Sequence, residues 1–436
     1  MQKIPQIYHG EWWVPAEADP DNMGPNYPGK IPMVHKGHEK KYTGTLTYNE
    51  FDDSILDLYF VPSDFQGNYY GYYSVIWGVD ANGYVFTLFN ASSNRFDGED
   101  FTTIKYKIQF ILLGKHVLSL DENQFYKCTV EFPYLRNWAF HNNLSYQEVE
   151  GVKHISYADI TKGDYLVDVQ IEPGIKWLLM DAYNIDRGAF DLSINQYTLF
   201  EIESYNTVSI RTFTKQIIEF FQFLSIALYC KQRPSSIKFY DNERPYPYVL
   251  LFQKGNSKDP NYTSLIKFDK LKEKVPEMFS KWHNNYDNLS PICNYLVDSL
   301  HRESAFDVPD FLIIAQALDG YFKRFVNKKN GKDNRKYEDQ MSILLQQFEN
   351  VNILKKCNID AKVLTDTRNK HSHLYPDDEK SLALNGIDLY WLTEKCKILL
   401  TCCILDLLGL TNDEINLCLQ DSPIQYKIDS HPFEFQ

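Results

Sequence analysis

The spacing of apolar residues changes once along this chain, near residue 205, and that change limits the fold more than any other feature. Before it, runs rich in Tyr, Phe, Val, Ile and Thr, such as YTGTLTYN from Tyr42 and YYGYYSVIWGV from Tyr69, alternate with clusters of Gly, Asn, Asp and Ser. Short strands at close spacing with turn signals between them predict a β domain, sandwich-like or barrel-like. After it, Ile217, Ile218, Phe221, Leu224 and Leu228 recur at helical spacing, and from Asp269 the pattern is helical to the end. Helices are expected near 270–286, 290–304, 309–327, 337–349, 360–375, 386–409 and 412–419. The extended piece IKFYDNERPYPYVLLFQKG, near 235–256, predicts a hairpin packed on the helices. The class is α+β multidomain: an N-terminal β-sandwich-like domain over 1–205, then an all-α helical bundle over 206–436 that carries the small extended insert. A length of 436 residues accommodates two or three domains.

The formal net charge of -13 argues at first against a nucleic-acid partner, because binding a polyanion needs Lys and Arg to displace counterions. Its distribution removes that argument. Residues 1–205 carry 15 basic and 28 acidic side chains, whereas residues 206–436 carry 30 of each. Within the second half, residues 206–376 hold 26 basic and 19 acidic groups. Charge asymmetry of this kind marks two functional units. The densest basic stretch, KRFVNKKNGKDNRK from Lys323 to Lys336, lies in the half with spare positive charge, and Lys328, Lys329, Lys332, Arg335 and Lys336, with Lys370, are the candidate RNA-binding cations.

The eight cysteines show no CxxC pair, and seven of them fall in segments read as helical. Free cysteine there behaves as a small buried hydrophobe, which predicts a reduced, cytoplasmic protein. The N-terminus has no apolar run of the signal-peptide kind. The most apolar stretch, Ile398 to Leu410, contains Asp406 and is shorter than the roughly 20 residues a bilayer requires, so it is expected to be a buried helix. The aromatic β half could bind sugars or unstacked bases, but core filling explains its tryptophans as well.

The motif that carries chemistry is TDTRNKHSHLYP, Thr365 to Pro376, an R-N-x-x-x-H pattern made by Arg368, Asn369 and His373. An exact Arg-to-His spacing arises by chance about 0.25 times in a chain of this composition, and about 0.02 times with Asn required after Arg. Cleaving RNA without a metal needs a base for the 2′-hydroxyl, an acid for the leaving 5′-oxygen and a cation for the charge growing on phosphate. His373 can serve as base or acid, and Arg368 is a permanent cation whose fork fits phosphate oxygens. At about 100° per residue, Leu364, Thr367, His371 and Leu374 form one core-facing stripe. Asn369 and His373, four apart, share nearly the opposite face, where the amide can orient the imidazole. Arg368 and Tyr375 flank the stripe. Pro376 ends the helix near Leu374 or Tyr375. The helix dipole then favours a protonated His373, and nearby Arg368 opposes it. His371 is assigned a packing or supporting role, since a His371 and His373 metal pair lacks further ligands. A second copy of the pattern, Arg136, Asn137 and His141 in LRNWAFH, follows a predicted strand and is read as structural.

On these residues the second half resembles a HEPN domain, whose ribonuclease members carry Arg, four to six residues and then His, often with Asn after the Arg. Tyr375 extends the match to the R-x4-H-x-Y form of HEPN toxins. Residues 1 to about 205, with GTLTY near the start and LRNW near residue 135, are similar to the β-rich N-terminal domain of ApeA-type anti-phage HEPN proteins. The resemblance implies an abortive-infection ribonuclease that cuts RNA, with host tRNA the first candidate. It also implies a homodimer with two motif helices across one cleft, a phage-derived trigger and no cofactor. The chemistry asks for a dimer independently: one chain offers one outward His373, and in-line cleavage wants both an acid and a base. The alternative is a catalytically inactive HEPN scaffold for RNA binding and dimerisation, with a β domain that recognises a protein or glycan.

Overall fold

The computed structural model of the chain describes residues 6–15, 40–60, 71–96, 103–139, 144–149, 152–157, 165–187, 192–255, 257–260, 264–300, 308–327, 335–376 and 381–431. The first strands are β1 (Gln6–Trp13), β2 (Tyr42–Tyr48), β3 (Ser54–Tyr59), β4 (Tyr72–Asp80), β5 (Val85–Phe96) and β6 (Thr103–Ile108). They pair antiparallel in the order β5-β4-β1-β2-β3-β6, and β6 pairs back on β5, so the strands close into a barrel. Alternating side chains fill it: Trp12, Leu46, Leu56, Phe86, Leu88 and Tyr106 are buried inside. The Trp12 indole needs a bare backbone beside it. A Cβ at Gly78, its cross-strand partner, would stand 2.1 Å from the Trp12 ring.

The barrel continues into an open sheet through β5. Its first half, Phe86 to Phe89, pairs with β7 (Phe110–Leu113), and from Ser92 onward it pairs with β6. Asn90, in the left-handed region at φ 56°, lies between the two halves, a conformation Asn tolerates better than most residues. The sheet uses β8 (Phe125–Glu131), β11 (Val167–Glu172), β12 (Ile175–Arg187), β13 (Leu192–Val208), β14 (Ser236–Tyr240) and β15 (Tyr248–Phe252) in the order β7-β15-β14-β8-β13-β12-β11. A short helix, α1 (Leu135–Trp138), follows β8, and β9 (Leu144–Val149) with β10 (Val152–Tyr157) makes a separate ribbon.

The α+β class holds, and the β-rich part is a barrel joined to a sheet. The hairpin expected against the helices is instead sheet. Strands β14 and β15 stand between β8 and β7, with Phe239 opposite Cys128 and Leu250 opposite Leu112. A two-stranded hairpin is marginal alone, and β7 and β8 would each present a bare edge without it. Ile237, Phe239, Tyr248 and Leu250 still turn one face of the hairpin into the core.

The helices are α2 (Ile210–Ala227), α3 (Phe268–Leu271), α4 (Val275–Ser299), α5 (Val308–Tyr321) with a π turn over Phe322–Val326, α6 (Tyr337–Gln347), α7 (Asn352–Cys357), α8 (Ala361–His373), α9 (Gly386–Leu407), α10 (Asn412–Leu419) and α11 (Pro423–Ser430). Strand turns to helix at Ser209, whose hydroxyl accepts from Thr212 N at 3.1 Å. Two expected helices, 270–286 and 290–304, are one, because α4 runs through Pro291. Proline removes a helical N–H and crowds the preceding turn. Arg324 donates to Asn288 O in that turn at 2.6 Å. Helix α9 is buried along most of its length, and no helix among the described residues is long and apolar enough to cross a membrane. All eight cysteines are free and buried. Burial pushes the Cys230 thiol up to about 11 and those of Cys357, Cys396 and Cys418 up to about 12.

Sheet and helices share one core. Phe200 of β13 stacks on Phe220 of α2 at 3.7 Å between centroids, and Trp177 of β12 meets Phe220 and Phe279 edge-on. The buried indole N–H groups are satisfied across the same seam, Trp177 by Gln216 Oε1 at 2.7 Å and Trp138 by Ile266 O at 3.0 Å. A fragment beginning at residue 206 would lose Phe200 and Trp177 and expose Phe220 and Phe279, so we expect it to show no cooperative thermal unfolding. Circular dichroism of that fragment beside the full chain checks this.

Candidate active site

Helix α8 begins at Asp360, whose carboxylate accepts from Lys362 N at 2.7 Å and Val363 N at 3.2 Å. Its buried stripe is Leu364 and Thr367, with half-buried His371 one turn on. Thr367 has no exposed surface; its hydroxyl donates to Val363 O at 2.7 Å and accepts from Leu384 N at 3.1 Å. His371 Nε2 lies 2.9 Å from Leu384 O, and its ring meets Phe311 of α5 at 6.2 Å. Lys370 Nζ donates to Asn385 Oδ1 at 3.2 Å. Side chains of α8 thus satisfy both backbone groups of Leu384, which ties the segment leading into α9 against the motif helix.

The helix stops one residue sooner than its stripe implies. Leu374 adopts the left-handed conformation at φ 55°, and Tyr375 N reaches back to Lys370 O at 3.0 Å. A backbone bond of this span ends helices, usually with glycine at the left-handed position. Leu374 was expected on the core-facing stripe, but this turn carries it outward and leaves it 86% exposed. Leucine in this conformation costs about 1–2 kcal/mol.

The chemical residues lie on the last turns. Arg368 is half-buried, with its guanidinium 5.5 Å from the ring centre of Tyr337 and Nη1 donating to Asn369 Oδ1 at 3.1 Å. Asn369 was expected to orient His373. Among the described residues no hydrogen bond joins them, and the amide oxygen accepts from the Arg368 guanidinium instead. His373 is exposed, and its ring lies 5.3 Å from that of Tyr375. Leu374 and Tyr375 at the motif end of α8, and Leu382 and Ile387 just before and at the start of α9, are 86%, 59%, 45% and 50% exposed.

Arg335 and Lys336 are exposed just before α6, which packs on α8, and Arg335 stands 5.9 Å from the Phe322 ring centre. Lys328, Lys329 and Lys332 lie outside the described residues. In the upstream copy of the pattern, Arg136 pins α1 to β13 by donating to Gln196 O at 2.7 Å and to Gln196 Oε1 at 3.3 Å. His141 also lies outside the described residues. Sequence reasoning missed Tyr337 and the Leu384 clamp. Their only sequence signals were an aromatic directly after a basic run and a Thr on an otherwise apolar stripe.

Two family models match the chain. One, ApeA N-terminal domain 1, covers residues 7–282, and the other, Apea-like HEPN, covers residues 312–414. The chain belongs to the ApeA family. In this ApeA-type chain the first match runs through α2 and the β14–β15 hairpin into α4, and the second contains the whole Arg368 to His373 motif. The HEPN match places it among anti-phage HEPN nucleases. No curated protein and no solved structure matches it.

Replacing Thr367 by Val keeps the shape but leaves Leu384 N–H without its acceptor. We expect a loss of about 1–3 kcal/mol in urea unfolding and faster amide exchange over 381–385.

Proposed function

We propose that this chain is an endoribonuclease of abortive infection that cuts RNA, with host tRNA the first candidate, by metal-independent transesterification. The reading rests on one observation: an exposed His373 imidazole lies little more than a turn from the held Arg368 guanidinium, inside the segment matched by the HEPN model. In the proposed reaction one His373 takes the proton of the 2′-hydroxyl as O2′ attacks phosphorus. Arg368 stabilises charge on the non-bridging oxygens, and the P–O5′ bond breaks with a proton supplied to O5′ by a second His373. Cyclic 2′,3′-phosphate and free 5′-hydroxyl are left.

The second imidazole comes from a second copy of the chain. Exposed Leu374 and Tyr375 at the motif end of α8, with exposed Leu382 and Ile387 just before and at the start of α9, support a homodimer through this part of the chain. Asn369 serves the site through Arg368, and His371 supports it through Leu384. Arg335, Lys336 and Lys370 are the described cations assigned to the RNA backbone, and Lys328, Lys329 and Lys332 are assigned with them from the sequence alone. The unit over 1–205 is the sensing and regulatory part, which takes a phage-derived trigger, and 206–436 is the nuclease part.

His373→Ala and Arg368→Ala test the assignment in cells expressing the full chain, with total RNA examined during phage challenge. Wild type is expected to yield RNA fragments and growth arrest, and each variant to lose at least 100-fold of the cleavage, in the range set by removing one group that stabilises transition-state charge. Cleavage unaffected by either change would sink the assignment to His373 and Arg368, and none by wild type would favour the inactive scaffold instead.

A further inference from the structure

Arg368 can stabilise a developing phosphate charge only if its guanidinium is already in place when the charge appears. An arginine side chain left free has rotamer entropy working against that requirement. Two groups restrict it. The Asn369 amide oxygen takes Nη1 at 3.1 Å, and the face of Tyr337 lies under the guanidinium carbon at 5.5 Å. Tyr337 is itself fixed. It is the first residue of α6, and its hydroxyl donates to Ala315 O on α5 at 3.1 Å. Burial holds its phenol well above the ordinary tyrosine range, so that hydroxyl remains a donor. The ring is therefore a rigid platform set between α5, α6 and α8, with the motif arginine on it.

We propose that Tyr337 is a positioning residue for RNA cleavage, its ring face and the Asn369 amide together fixing the Arg368 guanidinium toward the scissile phosphate. This rests on the nuclease reading above. The ring is the working part and the hydroxyl only anchors it, so Tyr337→Phe should retain the function and Tyr337→Leu should not. Because Tyr337 touches the RNA only through Arg368, its loss should slow the chemical step and leave substrate binding alone. Misplacement of a catalytic group by about 1 Å can cost about 100-fold.

The test uses purified full-length chain activated with lysate of phage-infected cells and unfractionated labelled tRNA, with His373→Ala chain as the blank. Tyr337→Leu is expected to lower kcat at least 10-fold with KM within threefold of wild type, and Tyr337→Phe to stay within threefold in both. In an Arg368→Lys background, Tyr337→Leu should add less than twofold, since the geometry it protects is already lost. If Tyr337→Leu does not fold, Tyr337→Met fills the same space without a ring and replaces it in each comparison. A ringless variant with kcat near wild type, while Arg368→Ala is inactive, would overturn the positioning role and leave the nuclease reading standing. So would an equal loss from that variant in the wild-type and Arg368→Lys backgrounds. Cleavage at the wild-type rate by Arg368→Ala would overturn the positioning role by removing Arg368 from the reaction, and cleavage by wild type no higher than the His373→Ala blank would remove the nuclease reading itself.

Discussion

Phe200 at the sheet's last long strand and Phe220 on the first helix lie ring on ring, and the aromatic residues around them, Trp177, Phe279 and Phe223, join both halves of the chain in one buried cluster. Everything else is placed from this seam. On one side the sheet leads through β5 into the closed barrel; on the other, α2 and α4 carry the helices on which α5, α8 and α9 are stacked. An interface of packed rings with satisfied indole N–H groups behaves as a domain interior and resists reversible separation. Any signal from the β-rich part to the motif therefore travels through packed elements, without the halves coming apart.

The charge distribution takes on meaning in that frame. The acidic excess belongs to the first half, which supplies the barrel and most of the sheet, and the motif sits in the half with balanced charge. Part of that acidity is held in pairs rather than displayed. Glu201 is 1% exposed and bonded to Lys127 at 2.6 Å, and Glu50 meets Lys254 at 2.9 Å. Burial raises Glu201 from the usual carboxylate value while Lys127 works against that rise. The field around the motif is accordingly set more by Arg335, Lys336 and the α8 cations than by the net charge of -13.

The sequence made the class, the change of periodicity and the motif legible, because each rests on local spacing. The buried stripe of Leu364, Thr367 and His371 followed from helical geometry alone. What escaped depended on partners far along the chain. Closure of the barrel needs β6 to return to β5, and the β14–β15 hairpin finds its place only once β7 and β8 offer their edges. The gap expected between 286 and 290 is absent because α4 continues through Pro291, in a turn that Arg324 also reaches. At the site, helical spacing pointed Asn369 to His373, whereas its amide oxygen accepts from the neighbouring Arg368, a pairing that depends on side-chain conformation. Leu374 left its stripe because the backbone turned left-handed one residue earlier than the pattern runs.

The most direct measurement is of the RNA ends left by the wild-type chain, cut in the presence of EDTA. In-line attack by the 2′-hydroxyl with His373 as acid or base predicts 2′,3′-cyclic phosphate and 5′-hydroxyl termini at an undiminished rate. Fragments bearing 5′-phosphate and 3′-hydroxyl ends, or cleavage abolished by the chelator, would contradict it.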